Sequence, residues 1–113
     1  METELKGILS NGHEYPEQVV MLWFTASWCG PCKQLAPIIN LLEQAHKDSL
    51  RIIKVDADEE HGLAQMLGVR AVPTLILMDR TKRLDTHVGL SNYGELNKWV
   101  SYHLNKWVSY HLN

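Results

Sequence analysis

The sequence is poor in cysteine and phenylalanine, because its 113 residues include two cysteines and one phenylalanine. It has no large excess of charge of either sign. Eleven Lys and Arg face thirteen Asp and Glu, a net charge of -2, so no attraction to nucleic acids or anionic membranes is expected. No apolar run approaches the roughly 20 residues of a membrane span, and the N-terminus lacks the pattern of a signal peptide. We therefore predict a single compact domain, a monomer in the cytoplasm, whose partners are proteins rather than nucleic acid or membrane.

Both cysteines lie in one short segment, Trp28-Cys29-Gly30-Pro31-Cys32-Lys33. The cytoplasm keeps thiols reduced, so such a close pair is predicted to be catalytic or metal-binding rather than a structural crosslink. A closed zinc site needs two more ligands, but no second CxxC or close histidine pair is present, and the six histidines are expected on the surface or in loops. An apolar run before the pair and a helical pattern after it favour a redox CxxC without metal or other cofactor.

The hydrophobic pattern alternates between strand and helix. The order β, α, β, α, β, β, α predicts an α/β fold, with parallel strands covered by helices and an antiparallel hairpin at the end. A further strand is predicted around residues 5–9. The remaining strands are predicted at residues 19–24, 50–56, 74–78 and 83–88, and the helices at residues 31–45, 59–67 and from about 96 onward.

The C-terminus contains an exact repeat, in which the eight residues 96–103 recur as residues 104–111. A core-facing stripe is formed by Leu96, Trp99, Val100 and Leu104. Eight residues advance a helix by about 80° beyond two whole turns, so the second copy cannot present the same face. We predict a domain over residues 1–105, with residues 106–113 as a duplicated segment that prolongs the helix or frays. Two alternatives are an oligomerising helix built on Trp107 and Tyr110, and competition of the two copies for one groove.

The position of the cysteines suggests a division of roles. At a helix N-terminus the thiolate of Cys29 would be stabilised by unpaired N–H groups and the helix dipole, so Cys29 is the predicted nucleophile. Cys32, one turn further on and more enclosed, is predicted to resolve the mixed disulfide. Gly30 leaves the approach open, Pro31 suits a first-turn position, and Trp28 offers a flat apolar flank.

These motifs carry a family resemblance. The WCGPCK segment after Phe24-Thr25-Ala26-Ser27, with Ala36-Pro37, Val72-Pro73-Thr74 and Val88-Gly89, resembles the thioredoxin family over about residues 19–104. The resemblance implies a thioredoxin fold, a central mixed sheet flanked by helices on both faces, and a cis Val72-Pro73 peptide facing the sulfurs. It also implies a groove in which the backbone of Val72 pairs with an extended substrate segment. The residues of that groove are Trp28, Gly30, Pro31, Val72, Pro73 and Gly89.

The resemblance further implies a function. The implied function is that of a protein disulfide reductase. Its Cys29/Cys32 dithiol reduces protein substrates and is re-reduced by a thioredoxin reductase, without a bound cofactor. A disulfide oxidase or isomerase would use the same motif, because direction depends on the potential of the pair against its surroundings. A third alternative is an accessory subunit that clamps a partner through the Trp28 groove without turning over its thiols.

One position departs from the family pattern. Trp23 stands where thioredoxins place a buried aspartate behind the second cysteine, and Lys54 matches the lysine that accompanies that aspartate. Without a counterion, Lys54 should reach outward, lose its charge or lie against the Trp23 ring. Either Trp23 only fills core volume while water moves the proton of the resolving thiol, or the resolving step is slow at neutral pH.

Overall fold

The structure is a computed structural model that describes residues 18–112, with side chains described up to residue 109. The order of elements agrees with the sequence prediction to within two residues at most boundaries, and the strand predicted around residues 5–9 lies outside the described residues. The elements are β1 (Val19–Thr25), α1 (Gly30–Ala45), β2 (Leu50–Asp56), α2 (His61–Met66), β3 (Thr74–Asp79), β4 (Lys82–Val88) and α3 (Tyr93–Leu112).

The four strands form one mixed sheet in the order β2-β1-β3-β4. β1 pairs parallel with β2 and antiparallel with β3, and β3 pairs antiparallel with β4. The mixed sheet and the final hairpin confirm the predicted thioredoxin fold. The expectation from the alternating pattern alone, that β3 would run parallel to the first two strands, is wrong.

The lengths of the helices explain this reversal. α1 has 16 residues and is about 24 Å long, which matches the roughly 23 Å of a seven-residue strand and returns the chain to the start of the sheet. α2 has six residues and spans only about 9 Å. The chain therefore enters β3 at the edge where β1 ends, with Thr74 opposite Phe24, and β3 runs antiparallel to β1.

β1 is the central strand and is buried on both faces, as its apolar run predicts. Val19, Met21 and Trp23 project to one face, where α1 and α3 pack against them. Val20, Leu22 and Phe24 project to the other face, where residues of β2 and the α2 region complete a second cluster. The site at the end of β1 is thus supported by core packing from both sides.

α3 continues without interruption through both copies of the repeat to Leu112. Leu96, Val100 and Leu104 are buried against α1 and the sheet, and Trp99 is half-buried beside them, which confirms the predicted core-facing stripe. The division of the chain at residue 105 stays a prediction.

A polar cluster ties α3 to the edge strand β4. The indole Nε1 of Trp99 donates a hydrogen bond to Asp85 Oδ2 at 2.8 Å, and His103 Nε2 lies 2.8 Å from the same oxygen. The backbone N–H of Thr86 donates to Asp85 Oδ1. Partial burial raises the pKa of Asp85, but the hydrogen bonds from Trp99, Thr86 and His103, together with the charge of His103, bring that pKa below its ordinary value of 3.8.

Two histidines are more enclosed than the sequence predicts. His87 and His103 are half-buried within β4 and α3, so their prediction as surface or loop residues is wrong, whereas His46 is half-buried but lies in the turn after α1, in agreement with the prediction. His46 shares a 2.7 Å hydrogen bond with Asn97 Oδ1, which joins the end of α1 to α3. The ring of His87 lies 5.5 Å from that of Trp99. These rings serve the packing of α3 on the sheet.

Candidate functional site

The two cysteines form a disulfide at the N-terminus of α1, with their Cα atoms 5.3 Å apart. Cys29 is the N-cap residue, and the backbone N–H of Cys32 donates a hydrogen bond to Cys29 Sγ at 3.2 Å. Pro31 occupies the first turn, where its missing donor is not needed. The predicted placement of both cysteines at a helix start is confirmed.

In this oxidised form both cysteines are almost fully covered. Cys29 exposes 3 % of its surface and Cys32 exposes 2 %, so exposure does not make Cys32 the more enclosed of the two, as the sequence analysis expected. Ala26 and Val72 pack around the disulfide, and the carbonyl oxygen of Val72 lies 3.7 Å from Cys29 Sγ. What distinguishes the two sulfurs is the N–H group that points at Cys29.

The ends of β3 and β4 bring the predicted groove residues to the disulfide. The Val72-Pro73 peptide bond is cis, as the resemblance implies. The N–H of Gly89 donates to the carbonyl oxygen of Pro73 at 2.9 Å. Gly89 has a φ of +94°, a region that an L side chain rarely adopts, so glycine is required there by the backbone itself. Val72, Pro73 and Gly89 thereby form one connected rim.

Trp28 forms the opposite side of this surface. Trp28 is 69 % exposed, and its Nε1 donates a 2.8 Å hydrogen bond to Asp58 Oδ2. The turn that carries Asp58 is itself held by Asp56, whose Oδ1 accepts from the backbone N–H of Asp58 and of Glu59. The sequence analysis missed Asp58, although the acidic run directly after β2 was a signal for it. The ring of Trp28 is therefore held in place while its surface stays open.

Two cavities flank the disulfide. One, of about 590 Å³, is lined by Trp28 and Val72 together with His61 and Arg70. Gly30, between the two cysteines, is exposed, and a Cβ built on it would meet no atom within 4 Å. The packing of the described residues thus leaves the space above Gly30 free.

The second cavity, of about 320 Å³, lies behind Cys32 and is lined by Trp23, Lys54 and Asp56 among others. Trp23 is 92 % buried, because only 8 % of its surface is exposed. Lys54 is exposed, and its Nζ lies 5.4 Å from the centre of the Trp23 ring. Of the three arrangements considered for Lys54, the structure shows contact with the Trp23 ring combined with access to solvent.

Within residues 18–112, no group of three or more His, Cys, Asp or Glu side chains is placed to hold a metal ion. None of the three described helices combines the length and the apolar character that crossing a bilayer needs.

Comparison with known proteins gives a consistent result. The family model described as Thioredoxin matches residues 5–102. Thioredoxin of Bacillus subtilis is 40% identical over 91 residues, 80% of this chain and 88% of that protein. Thioredoxin 1 of Synechococcus elongatus is 35% identical over 85 residues, 75% of this chain and 79% of that protein. The X-ray structure of Fasciola hepatica thioredoxin superposes with a TM-score of 0.78 at 26% identity, covering 90% of this chain and 93% of that one.

Proposed function

Because this chain belongs to the thioredoxin family and is a protein disulfide reductase working by thiol-disulfide exchange, we propose that Cys29 is its attacking sulfur and Cys32 its resolving sulfur. The observation that carries this assignment is the hydrogen bond from the Cys32 N–H to Cys29 Sγ at the helix N-terminus. In the reduced form the same N–H group and the helix dipole favour the thiolate of Cys29 over its thiol.

In the first step the Cys29 thiolate attacks one sulfur of a substrate disulfide. A bond forms between Cys29 Sγ and that sulfur, the substrate S–S bond breaks, and the other substrate sulfur leaves as a thiolate. In the second step Cys32 gives up its proton and attacks Cys29 Sγ, which releases the second substrate thiolate and leaves the Cys29-Cys32 disulfide seen here. Two electrons and, after protonation, two protons pass to the substrate.

Alkylation of the reduced protein tests the assignment. In a Cys32→Ser variant, the rate of reaction of Cys29 with iodoacetamide should follow a pKa well below the roughly 8.5 of a free thiol. The matched Cys29→Ser variant leaves Cys32 as the only thiol and should react slowly at neutral pH, because the N–H group at the helix N-terminus points at Cys29 Sγ and not at Cys32 Sγ. Equal rates for the two variants, or a Cys29 pKa no lower than that of a free thiol, would contradict the assignment.

We further propose that substrates dock on the surface formed by Trp28, Gly30, Pro31, Val72, Pro73 and Gly89. The open ring of Trp28, the space above Gly30 and the position of the Val72 carbonyl beside Cys29 support this docking. An extended segment pairing with the backbone of Val72 would bring its own disulfide next to Cys29. Gly30→Val is expected to lower the rate of substrate reduction while leaving stability nearly unchanged, because a Cβ at position 30 meets no atom of the described residues within 4 Å.

The remaining parts of the proposed cycle concern the source of the electrons and the compartment in which the protein works. We propose that a thioredoxin reductase re-reduces the Cys29-Cys32 disulfide, that the protein acts as a monomer on protein substrates, and that it works in the cytoplasm, where thiols are kept reduced. Recovery of free thiols after incubation with a thioredoxin reductase and its reductant tests the first point. Failure of that recovery, with chemical reduction still effective, would exclude this electron donor.

The presence of Trp23 affects the step in which Cys32 loses its proton. Of the two alternatives, we propose that this resolving step is slower near neutral pH than in a protein with a carboxylate at position 23, beside the cavity behind Cys32. A folded Trp23→Asp variant should then resolve mixed disulfides faster at neutral pH in single-turnover measurements. Trp23→Phe, which keeps an apolar ring, serves as the control with an unchanged rate. A folded Trp23→Asp variant without a gain in rate would overturn the proposal.

A further inference from the structure

A third cavity adjoins the larger of the two cavities that flank the disulfide. Its volume is about 240 Å³, and residues 68–71 line both cavities, so they form a common wall. This wall leads directly into Val72 and Pro73 of the proposed docking surface. The opposite wall of the third cavity consists of residues of β3 and β4, namely Thr74, Ile76, Arg83, Thr86 and Val88. We call it the two-arginine cavity, after Arg70 and Arg83.

The register of the hairpin places Arg83 and Thr86 on the face of the sheet that α2 covers. Arg83 pairs with Met78, and Thr86 pairs with Ile76. Met78 and Ile76 are buried in the cluster on the α2 side of the sheet. Because directly paired residues of two strands project to the same face, Arg83 and Thr86 point away from α3 and towards the end of α2.

Two hydrogen bonds hold the guanidinium of Arg83 at this face. Its Nη1 donates to Thr86 Oγ1 at 3.2 Å, and its Nη2 donates to the carbonyl oxygen of Leu67. Both acceptors are neutral, so they orient the positive charge without cancelling it. A guanidinium has five N–H groups, and Thr86 Oγ1, which accepts here, keeps its own O–H for a further acceptor. Donors for an anionic group are therefore already in position.

Arg70 supplies a second positive charge from the common wall. It is exposed and lines both cavities. The backbone beside it is held at the end of α2, because Gly68 adopts a φ of +73° and the N–H of Val69 donates to the carbonyl oxygen of Ala64 at 2.8 Å. None of the described residues that line the two-arginine cavity is acidic. Two positive charges at one concave site favour an anionic ligand.

The location of the cavity favours an anion that belongs to the substrate. The carbonyl oxygen of Val72, beside which a substrate segment is proposed to lie, is 3.7 Å from Cys29 Sγ. Arg70 precedes Val72 by two residues, so the two are at most about 7 Å apart along the backbone. An extended segment advances about 3.3 Å per residue, so two residues cover that distance. A substrate side chain two positions from the reacting cysteine therefore comes close to Arg70.

We propose that the two-arginine cavity binds the carboxylate of an acidic substrate residue, best a glutamate, two positions from the substrate cysteine. The carboxylate lies between Arg70 and Arg83, and the apolar side chains of Val69 and Val88 cover the methylene groups of the glutamate. The proposal rests on the proposed docking of substrates at Val72. It adds a substrate class, disulfides with acidic neighbours, which the protein reduces in preference to neutral ones.

Reduction of two matched peptide disulfides by the full-length dithiol protein tests the proposal. Each substrate is the disulfide-linked dimer of acetyl-Ala-X-Ala-Cys-Ala-X-Ala-amide, in which X is glutamate in one peptide and glutamine in the other. Placing X on both sides of the cysteine covers both directions of the segment. One protein dithiol and one peptide disulfide give one protein disulfide and two peptide thiols, which chromatography quantifies. Rates with dithiothreitol correct for the effect of the glutamates on the disulfide itself.

After this correction the glutamate peptide should be reduced about fivefold faster, the effect of one ion pair of about 1 kcal/mol. The net charge of -2 of the chain would by itself disfavour the anionic peptide, so it cannot produce this preference. Arg70→Gln and Arg83→Gln should each lower the ratio of the two rates to less than about twofold. Arg80→Gln removes the same charge at an exposed position that does not line the cavity, so it is the matched control with an unchanged ratio.

The possible outcomes separate this proposal from the one on which it rests. Equal corrected rates for the two peptides, with both of them reduced, would overturn the acidic preference and leave docking at Val72 in place. Failure of the protein to reduce either peptide would overturn both proposals. A preference that Arg80→Gln lowers as much as Arg70→Gln would show an effect of overall charge rather than of the cavity. Circular dichroism checks the fold of each variant, and Arg70→Gln breaks no hydrogen bond among the described residues.

Discussion

The two copies of the C-terminal octamer have the same sequence and the same helical backbone, yet they occupy different environments. In the first copy Val100 is fully buried, whereas its counterpart Val108 in the second copy is 39% exposed. Trp99 donates to Asp85, whereas its counterpart Trp107 lines a cavity between the β3-β4 hairpin and α3. Leu96 and Leu104, in contrast, are both buried.

Helical rotation accounts for this difference. Eight residues leave the second copy turned by about 80° relative to the first, so an identical side chain faces a different neighbour. Leu104 remains within the buried stripe, but Val108 has rotated out of it. Position on the helix, rather than residue type, therefore determines what each of these side chains contributes to stability. The repeat offers matched pairs of residues with which this contribution can be measured.

The largest effect is expected for the valine pair. Val100→Ala should lower the free energy of unfolding by about 2 kcal/mol, because it removes buried methyl groups and leaves a cavity in the core. Val108→Ala should change it by less than about 0.5 kcal/mol, as is usual for exposed positions. Urea denaturation with equal m-values measures both. Equal losses at the two positions would contradict the environments described here.

A smaller effect is expected from the tryptophan pair. Asp85 accepts a hydrogen bond from Trp99, so Trp99→Phe and Asp85→Asn should be coupled by about 1 kcal/mol in a double-mutant cycle of unfolding free energies. The same cycle with Trp107→Phe should be additive to within about 0.5 kcal/mol, because Trp107 donates no described hydrogen bond to Asp85. Coupling of the same size for both tryptophans would show that Asp85 does not distinguish the copies.

The active-site end of the molecule was predictable from the sequence to a greater extent than the α3 side. A CxxC pair between an apolar run and a helical pattern places both sulfurs at a helix N-terminus, because these signals are local in the chain. Element order followed from hydrophobic periodicity for the same reason. The resemblance supplied what periodicity does not contain, the cis Val72-Pro73 peptide and the approach of Gly89 to it.

Features that depend on distant parts of the chain were missed or predicted wrongly. The direction of β3 depends on whether α2 is long enough to cross the sheet, and the alternating pattern favoured a parallel β3 although the predicted helix over residues 59–67 was already short. The contacts of Asp85 with Trp99 and His103 join residues 14 and 18 positions apart, which no local pattern links. The covering of Cys29 by Val72, 43 positions away, is likewise linked by no local pattern, and only the resemblance implied that the Val72-Pro73 peptide faces the sulfurs.

Acid should weaken the contact that distinguishes the first copy. The pKa of Asp85 is lower in the folded protein than its ordinary 3.8, so ionised Asp85 stabilises the fold above that value. This contribution is lost as the pH falls below 3.8 through the folded pKa. The stability difference between the parent and Asp85→Asn should therefore shrink over that range, as measured by urea denaturation at a series of pH values. A difference that stays constant down to the acid limit would show that the charge of Asp85 does not contribute.

The smallest effect is expected from removing most of the second copy. If residues 106–113 only prolong α3, the chain should have the mass of a monomer both before and after their deletion, as determined by analytical ultracentrifugation. The oligomerising alternative requires the full-length chain to be a dimer and the shortened chain to be a monomer. Val108→Ser in the full-length chain is a milder control, because it makes the exposed position polar and leaves the buried Leu104 in place. Dimerisation that is lost in both variants would assign the second copy to an interface between chains. The different environments of the two copies would then result from contact of the second copy with a partner chain.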